Sequence, residues 1–404
     1  MGESFEKKPI WFVSLTNITA GFDIEKPAVW LDANIHTTEI TGTTVLLHLI
    51  YTILTGYGKA ERLTHLLDTC VYYIVPRLNP DGAMMAMLEK PKYIRSGVRW
   101  YPWEEKQDGL HEENVDGDGR LLQMRILDPN GDWKISELDP RLMQKRSPVE
   151  YGSEYYRILP EGIIHDYNEF QLKIAQPPEG LDFNRNFPSE AGIKDRKFIN
   201  WFREHPHEED LLILKWVDKN APCGSYVDWY DLKHPQLGRV ELGGWNRMYT
   251  WRNPPVDFLF LEVERNTPFA LMIGELLPKL SVKILEVAPL GNGDYRINLV
   301  VDNTGFLPTF TSEQGKKKKI VRPVRVELEF PEGVKLVIRK QKTEMGYLQG
   351  RSNKLDVMSL WDDEASTDNH GRVEWVINGS SGSIIKVHIL SERAGSIHQY
   401  SIIP

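Results

Sequence analysis

Two short, almost wholly apolar runs, AVWLDANI (28–35) and CVYYIV (70–75), stand on either side of TTVLLHLIYTILTGYG (43–58). The latter reads as a helix closed by glycines. A further run, IWFVSLTN (10–17), precedes all three. Strands without polar alternation are what a sheet covered on both faces requires. Strand, helix and strand in that order place the sheet in the α/β class, with helices packed against it. After the third run comes Asn79-Pro80-Asp81-Gly82, read as a turn.

The rest of the chain changes character twice. Residues 91–182 are rich in Asp, Gly, Pro and Tyr and hold few long periodic runs. Loop-like stretches of that length inside a compact domain are usually functional or insertional. From about residue 282 onward, SVKILEVAPLG, DYRINLVVDNTG, VRPVRVELEFPEG, VEWVINGSSG and SIIKVHILSE are short strand-like runs divided by turn residues. That spacing predicts an all-β sandwich over 281–404. Residues 1–280 then form the first domain, with 91–182 as an insertion-like region.

A chain of 404 residues exceeds one ordinary core, and 41% hydrophobic with 26% charged residues is a globular composition. The net charge of −8 is modest and spread out, which argues against nucleic acid as a partner. The basic run Lys316 to Lys319 reads as a solvated loop. Cys70 and Cys223 alone support neither a disulfide framework nor a CxxC metal motif. No run is long and apolar enough for a transmembrane helix, and the start lacks the apolar core of a signal peptide.

Histidine and glutamate three apart occur twice, as His36/Glu39 in NIHTTE and His205/Glu208 in FREHPHEED. The second pair lies in a charge-rich stretch and reads as surface. The first follows a buried strand directly, and strand ends opening into loops are where α/β sheets bind ligands. GLDFNRNFP (180–188) adds Asn184 and Arg185, an amide and a guanidinium fork suited to a free carboxylate.

With NIHTTEITG, PRLNPDG and LDFNRNFP in this order, the chain resembles the carboxypeptidase A family of zinc peptidases. The resemblance implies a mixed-sheet α/β/α domain, a single zinc ion and hydrolysis of the last residue from peptide or protein C-termini. It implies His36 and Glu39 as zinc ligands and Asp182 as the acceptor orienting His36. It further implies that Asn184 and Arg185 bind the terminal carboxylate and that Arg99, in RSGVRWYP, stabilises the oxyanion. Arg95 is its near neighbour in that stretch.

The same resemblance calls for a third zinc ligand, a closing tyrosine and a general-base glutamate downstream of Arg185. Only SEAGIKDRKF separates NRNFP from INWFREHPHEEDLLILKW. The α/β/α domain is therefore expected to be incomplete, with a deletion near 188–198 of about a hundred residues or more. GESFEKKPIWFVSLTN likewise resembles the family's second strand region, so the start is expected to lack a preceding helix and strand. His234 and Glu241 in YDLKHPQLGRVELGGW are substitutes for the missing groups, but the preferred reading of His234 is a proline-bounded loop residue. Low activity, a non-catalytic binder of peptide C-termini, or an incomplete gene product are the readings that follow. Finally, NVDGDGR spaces Asn114, Asp116 and Asp118 as in the first half of a calcium loop. Arg125 stands where the loop's glutamate belongs, so an acidic turn is preferred to Ca2+.

Overall fold

The computed structural model describes residues 1–100, 105–170, 172–175, 208–222, 224–354 and 368–404. By internal packing the chain divides into two compact units. The first holds Met1–Phe12, Asp32–His48 and Val75–Asn266; the second holds Val13–Leu31, Leu49–Ile74 and Thr267–Pro404.

In the second unit, the apolar runs form a small sheet in the order Val13–Leu15, Val71–Val75, Ala28–Asp32. The central strand has almost every side chain buried, as its unbroken apolar sequence requires. Ala28–Asp32 departs from expectation: Val29 is buried, but Ala28 and Trp30 are exposed. It is an edge strand among the described residues, and only one of its faces is packed. The helix Thr41–Gly56 occupies its expected place and shows the same one-sidedness. Leu46, Leu49 and Ile53 are buried, while Leu47, Tyr51 and Leu54 remain exposed.

Behind the central strand, the hydroxyl of buried Tyr72 donates to Leu271 O at 3.1 Å. Leu271 belongs to the helix Val256–Glu275, whose Gly274 lies so near that a Cβ there would stand 2.1 Å from the Tyr72 hydroxyl. Glycine is what permits this approach. Burial also pushes the neighbouring Cys70 thiol up to about 12, so it stays protonated and inert.

Residues 280–402 form the expected sandwich of two four-stranded antiparallel sheets. Its core follows period two along each strand: Ile297, Leu299 and Val301; Val324, Val326 and Leu328; Val373, Trp375 and Ile377; Ile385, Val387 and Ile389. Alternate side chains of a strand point to opposite faces, so each strand gives one row inward and one outward. Trp375 is fully buried and its indole N–H donates to Lys340 O at 3.1 Å, meeting the one polar demand of that ring. Lys316, in a short helix Glu313–Lys317 rather than a plain loop, pairs with Glu313 and lies over the Phe310 ring.

In the first unit, the region read as loop-like is organised by antiparallel pairing. A six-stranded sheet runs Tyr226–His234, Gly238–Trp245, Gln123–Leu127, Tyr156–Pro160, Trp133–Ile135, Met143–Lys145. A second pair joins Gly109–Glu112 to Gly162–His165. Many of these strands are three to five residues long, too short for periodicity to show in the sequence. Leu110, Leu122, Met124, Leu159, Ile164, Val240 and Leu242 form the core between them.

Candidate metal and carboxylate site

Residues 33–40 leave the Ala28–Asp32 strand as a loop fixed almost wholly by backbone and amide hydrogen bonds. Asn34 adopts a left-handed conformation, φ 61°, and its Nδ2 donates to His36 O at 2.9 Å and Thr37 O at 3.0 Å. An amide side chain is suited to such a backbone because it can bond locally. Thr37 N donates to Arg95 O at 2.9 Å.

Two further asparagines hold the loop from outside. Asn253 Oδ1 accepts from Thr41 N and Thr41 Oγ1, satisfying the open N-terminus of the Thr41–Gly56 helix. Its Nδ2 donates to Thr38 O at 2.6 Å and Met248 O at 3.0 Å. Asn79 Nδ2 donates to Ser96 O at 2.6 Å and Ile35 O at 3.3 Å, and its Oδ1 caps Gly82 N. The Asn-Pro-Asp-Gly sequence is therefore not a free turn but the start of the helix Pro80–Ala86, with proline in the first turn where no N–H is needed. Asp81 accepts from Ser4 Oγ at 2.6 Å and Glu6 N at 3.1 Å.

These supports bring His36 and Glu39 together. His36 Nδ1 lies 3.0 Å from both Glu39 oxygens, with the imidazole buried and the carboxylate half-exposed. A nitrogen and a carboxylate aimed at one point are the donor types zinc takes. A hydrolytic zinc needs three protein ligands. Among the described residues, the one group of three His, Cys or carboxylate side chains close enough for a metal is Asp108, His165 and Asp166, which includes neither His36 nor Glu39. The described donors at this site stop at two, short of a hydrolytic zinc set.

Beside Glu39 the sequence signal was silent. Arg252 Nη1 approaches Glu39 Oε1 at 3.8 Å, and Arg252 Nε donates to the Tyr93 hydroxyl at 2.7 Å. The Tyr93 ring has the Arg247 guanidinium 4.2 Å from its centroid, and Arg247 Nη1 is anchored on Glu112 at 2.6 Å. Tyr93, Gln123, Trp245, Arg247 and Arg252 line a cavity of about 350 Å³. Two guanidiniums and two aromatic rings around a hollow can receive a carboxylate with an apolar or aromatic neighbour. Sequence spacing pointed to none of these five, because they come from segments up to 159 residues apart.

Arg99 is exposed, its guanidinium 5.6 Å from the Phe5 ring centroid. Asp182, Asn184 and Arg185 lie outside the described residues, as does His205; Glu208 opens the helix Glu208–Asn220.

His234 is not a loop residue. It ends the strand Tyr226–His234 and is buried. Its Nδ1 accepts from Gln236 N and Leu237 N, both at 3.1 Å, which leaves Nε2 to donate to Gly162 O at 2.8 Å. Its Nδ1 closes the turn of a β-hairpin, and its Nε2 ties that hairpin to the strand Gly162–His165. Glu241 faces Arg125 through two hydrogen bonds of 2.9 and 3.1 Å, under the rings of Trp229 and Tyr156.

The acidic turn has a carboxylate that its spacing did not reveal. Glu161, fully buried, accepts from Val115 N at 2.5 Å and Leu122 N at 3.0 Å. Asn114 Nδ2 fills the centre of the turn, donating toward Asp116, Asp118, Arg120 O and Glu161 over 2.9–3.5 Å. Burial, with Asp116 and Asp118 nearby, pushes the Glu161 carboxyl up to about 7. Arg125, at the sequence position of a calcium loop's glutamate, is turned to Glu241 instead.

The segment carrying His36 and Glu39 is similar to known proteins. Residues 1–136 match the zinc carboxypeptidase family. This carboxypeptidase-like segment is 34% identical to carboxypeptidase A2 of Rattus norvegicus over 102 residues, 24% of this chain and 23% of that protein. Carboxypeptidase Z of the same species is 30% identical over 218 residues, 52% of this chain and 29% of that protein. The chain thus spans under a third of the length of these relatives. A crystal structure of thrombin activatable fibrinolysis inhibitor is 31% identical over 20% of each chain, with a TM-score of 0.18. Residues 279–400, the sandwich, match a family described as a domain of unknown function. No described helix is long and apolar enough to cross a membrane.

Proposed function

We propose that this chain is a zinc carboxypeptidase-like protein that engages the C-termini of peptides, with His36 and Glu39 as its metal-ligand pair. The observation that carries the reading is the convergence of His36 Nδ1 and the Glu39 carboxylate at 3.0 Å beside the arginine-lined cavity. The family match of residues 1–136 supports it. In the intact family, zinc supplies an activated water and a polarised carbonyl. Here Arg252 and Arg247 receive the terminal carboxylate, together with Asn184 and Arg185. Asp182 orients His36, and Arg99 is the oxyanion arginine.

Two described donors bind zinc weakly, so turnover is low or absent and binding outlasts catalysis. The test is zinc content after dialysis, together with release of C-terminal residues from N-blocked peptides. Stoichiometric zinc with steady release would overturn the low-turnover part. Calorimetry with free-acid and amidated peptides tests the binding part. The free acid binds about tenfold or more tighter, and Arg252→Ala removes most of that difference. Equal binding of acid and amide would refute it.

A further inference from the structure

The outward face of the sandwich carries a pair of imidazoles that the carboxypeptidase reading does not use. His388, on the strand Ile384–Ser391, and His398, on Gly395–Ile402, are directly opposed in the antiparallel register. Ile385, Val387 and Ile389 take the inward positions, so period two puts His388 outside. The two rings lie 4.8 Å apart by centroid, at 70°. Their Nδ1 atoms face each other at 2.6 Å.

The opposite nitrogens differ in their surroundings, and only that of His388 has a carboxylate within hydrogen-bond distance. His388 Nε2 lies 3.0 Å from Glu329 Oε2, on the neighbouring strand Val324–Glu329. His398 Nε2 lies 3.7 Å from Glu25 Oε1 and 3.5 Å from Ser396 Oγ. A carboxylate facing one ring nitrogen places the proton there and leaves the other nitrogen as a lone pair. For His388 the rule aims the Nδ1 lone pair at His398 Nδ1. At 2.6 Å either His398 Nδ1 carries a proton that it donates, or a metal ion takes both nitrogens.

We propose that His388 and His398 form a cross-strand bis-imidazole site for a divalent transition metal, with copper(II) and nickel(II) preferred over zinc. Imidazole nitrogen suits all three ions, and the affinity order of first-row metals places copper highest. Metal–nitrogen bonds of about 2.0–2.1 Å set the nitrogens roughly 3 Å apart. Both rings are partly exposed, so a small rotation reaches that separation. Glu329 holds the His388 ring by its far nitrogen, as carboxylates do behind metal-bound histidines, and Glu25 adds negative charge 3.7 Å from that of His398. His398 also lines a cavity of about 350 Å³ with Glu25, Arg322 and Arg325, which leaves room for water or a small anion as further ligand.

The experiment uses the full chain carrying His36→Ala and His165→Ala, which silence the His36/Glu39 pair and the Asp108/His165/Asp166 group, after treatment with chelator. Copper(II) and nickel(II) chlorides are titrated at neutral pH by calorimetry, with nitrogen hyperfine structure in the copper EPR spectrum as a second readout. One equivalent binds with two-nitrogen coordination. His388→Gln and His398→Gln each lose that equivalent, and Glu329→Gln weakens it about tenfold. Near-ultraviolet circular dichroism of the Trp375 core verifies that each variant is folded. Uptake unchanged in folded His388→Gln, oxygen-only coordination, or a proton shared by the pair with no metal uptake would each overturn the proposal.

Discussion

A Cβ placed on Gly82 would stand 1.9 Å from Thr37 Cγ2 and 2.5 Å from Thr37 Cβ. The glycine of Asn-Pro-Asp-Gly and the threonine beside His36 therefore occupy one closely packed point, and two motifs read separately in the sequence are one structural unit. Gly82 is also fixed by its N–H, which donates to Asn79 Oδ1. Gly82→Ala forces the His36 loop or the Pro80–Ala86 helix to move. The expected loss is roughly 1–3 kcal/mol by urea denaturation. Thr37→Ser, which removes the clashing methyl, restores part of it; an unaltered midpoint in Gly82→Ala would contradict the packing described.

Asn253 joins the Thr41 helix terminus, Thr38 and Met248 through one amide. Asn253→Ala removes a helix cap and leaves the buried Thr38 and Met248 carbonyls without that donor. The expected destabilisation is about 1–3 kcal/mol. The loop carrying His36 and Glu39 loosens as well. Amide hydrogen exchange at residues 36–41 reports this directly, faster in the variant while the sandwich strands keep their protection.

The raised Glu161 carboxyl makes stability depend on pH. A free glutamate titrates near 4.3, whereas burial pushes Glu161 up to about 7 in the folded chain. The folded state holds the proton more tightly, so this contribution is fully present below about 4.3 and is lost as pH rises through about 7. Its magnitude is roughly 2–4 kcal/mol at the outer limit. Glu161→Gln keeps the shape without the charge. Subtracting its denaturation midpoints from those of the parent chain across pH 4–8 isolates the effect, and parallel profiles would show that Glu161 is not so shifted.

His234→Ala separates a structural histidine from a metal ligand. Zinc content should not change, whereas stability falls by about 1–3 kcal/mol because Gln236 N and Leu237 N lose their acceptor. Loss of zinc in a folded variant would reverse the assignment.

Much of the fold was legible because it is written locally. The period-two rows Ile297/Leu299/Val301 and Val373/Trp375/Ile377 announce half-buried strands whatever their neighbours, and the sandwich follows. The helix over Thr41–Gly56 and the buried strand Val71–Val75 are equally plain. Other readings differ from the structure for definable reasons. Trp30 is exposed on an apolar strand because apolar content does not say whether both faces of that strand are covered. The strands of 109–165 are too short to show a period. His234 reads as a loop residue because Pro235 breaks the pattern, although the proline falls just past the strand end.

By itself the sequence determined which residue types stand at motif spacing: His36 with Glu39, Asn79 with Gly82, the acidic residues from Asn114 to Asp118, and the alternating rows of the sandwich. These depend on helix and strand geometry over a few residues, which the chain carries in its own order. Only the tertiary structure decided that Arg252 stands against Glu39, that Glu161 closes the turn at Asn114, and that His388 meets His398. Such meetings join segments up to 213 residues apart, counting Glu39 to Arg252. They are set by how sheets register and helices pack, because side-chain forces act over ångströms in space, whatever the separation along the chain.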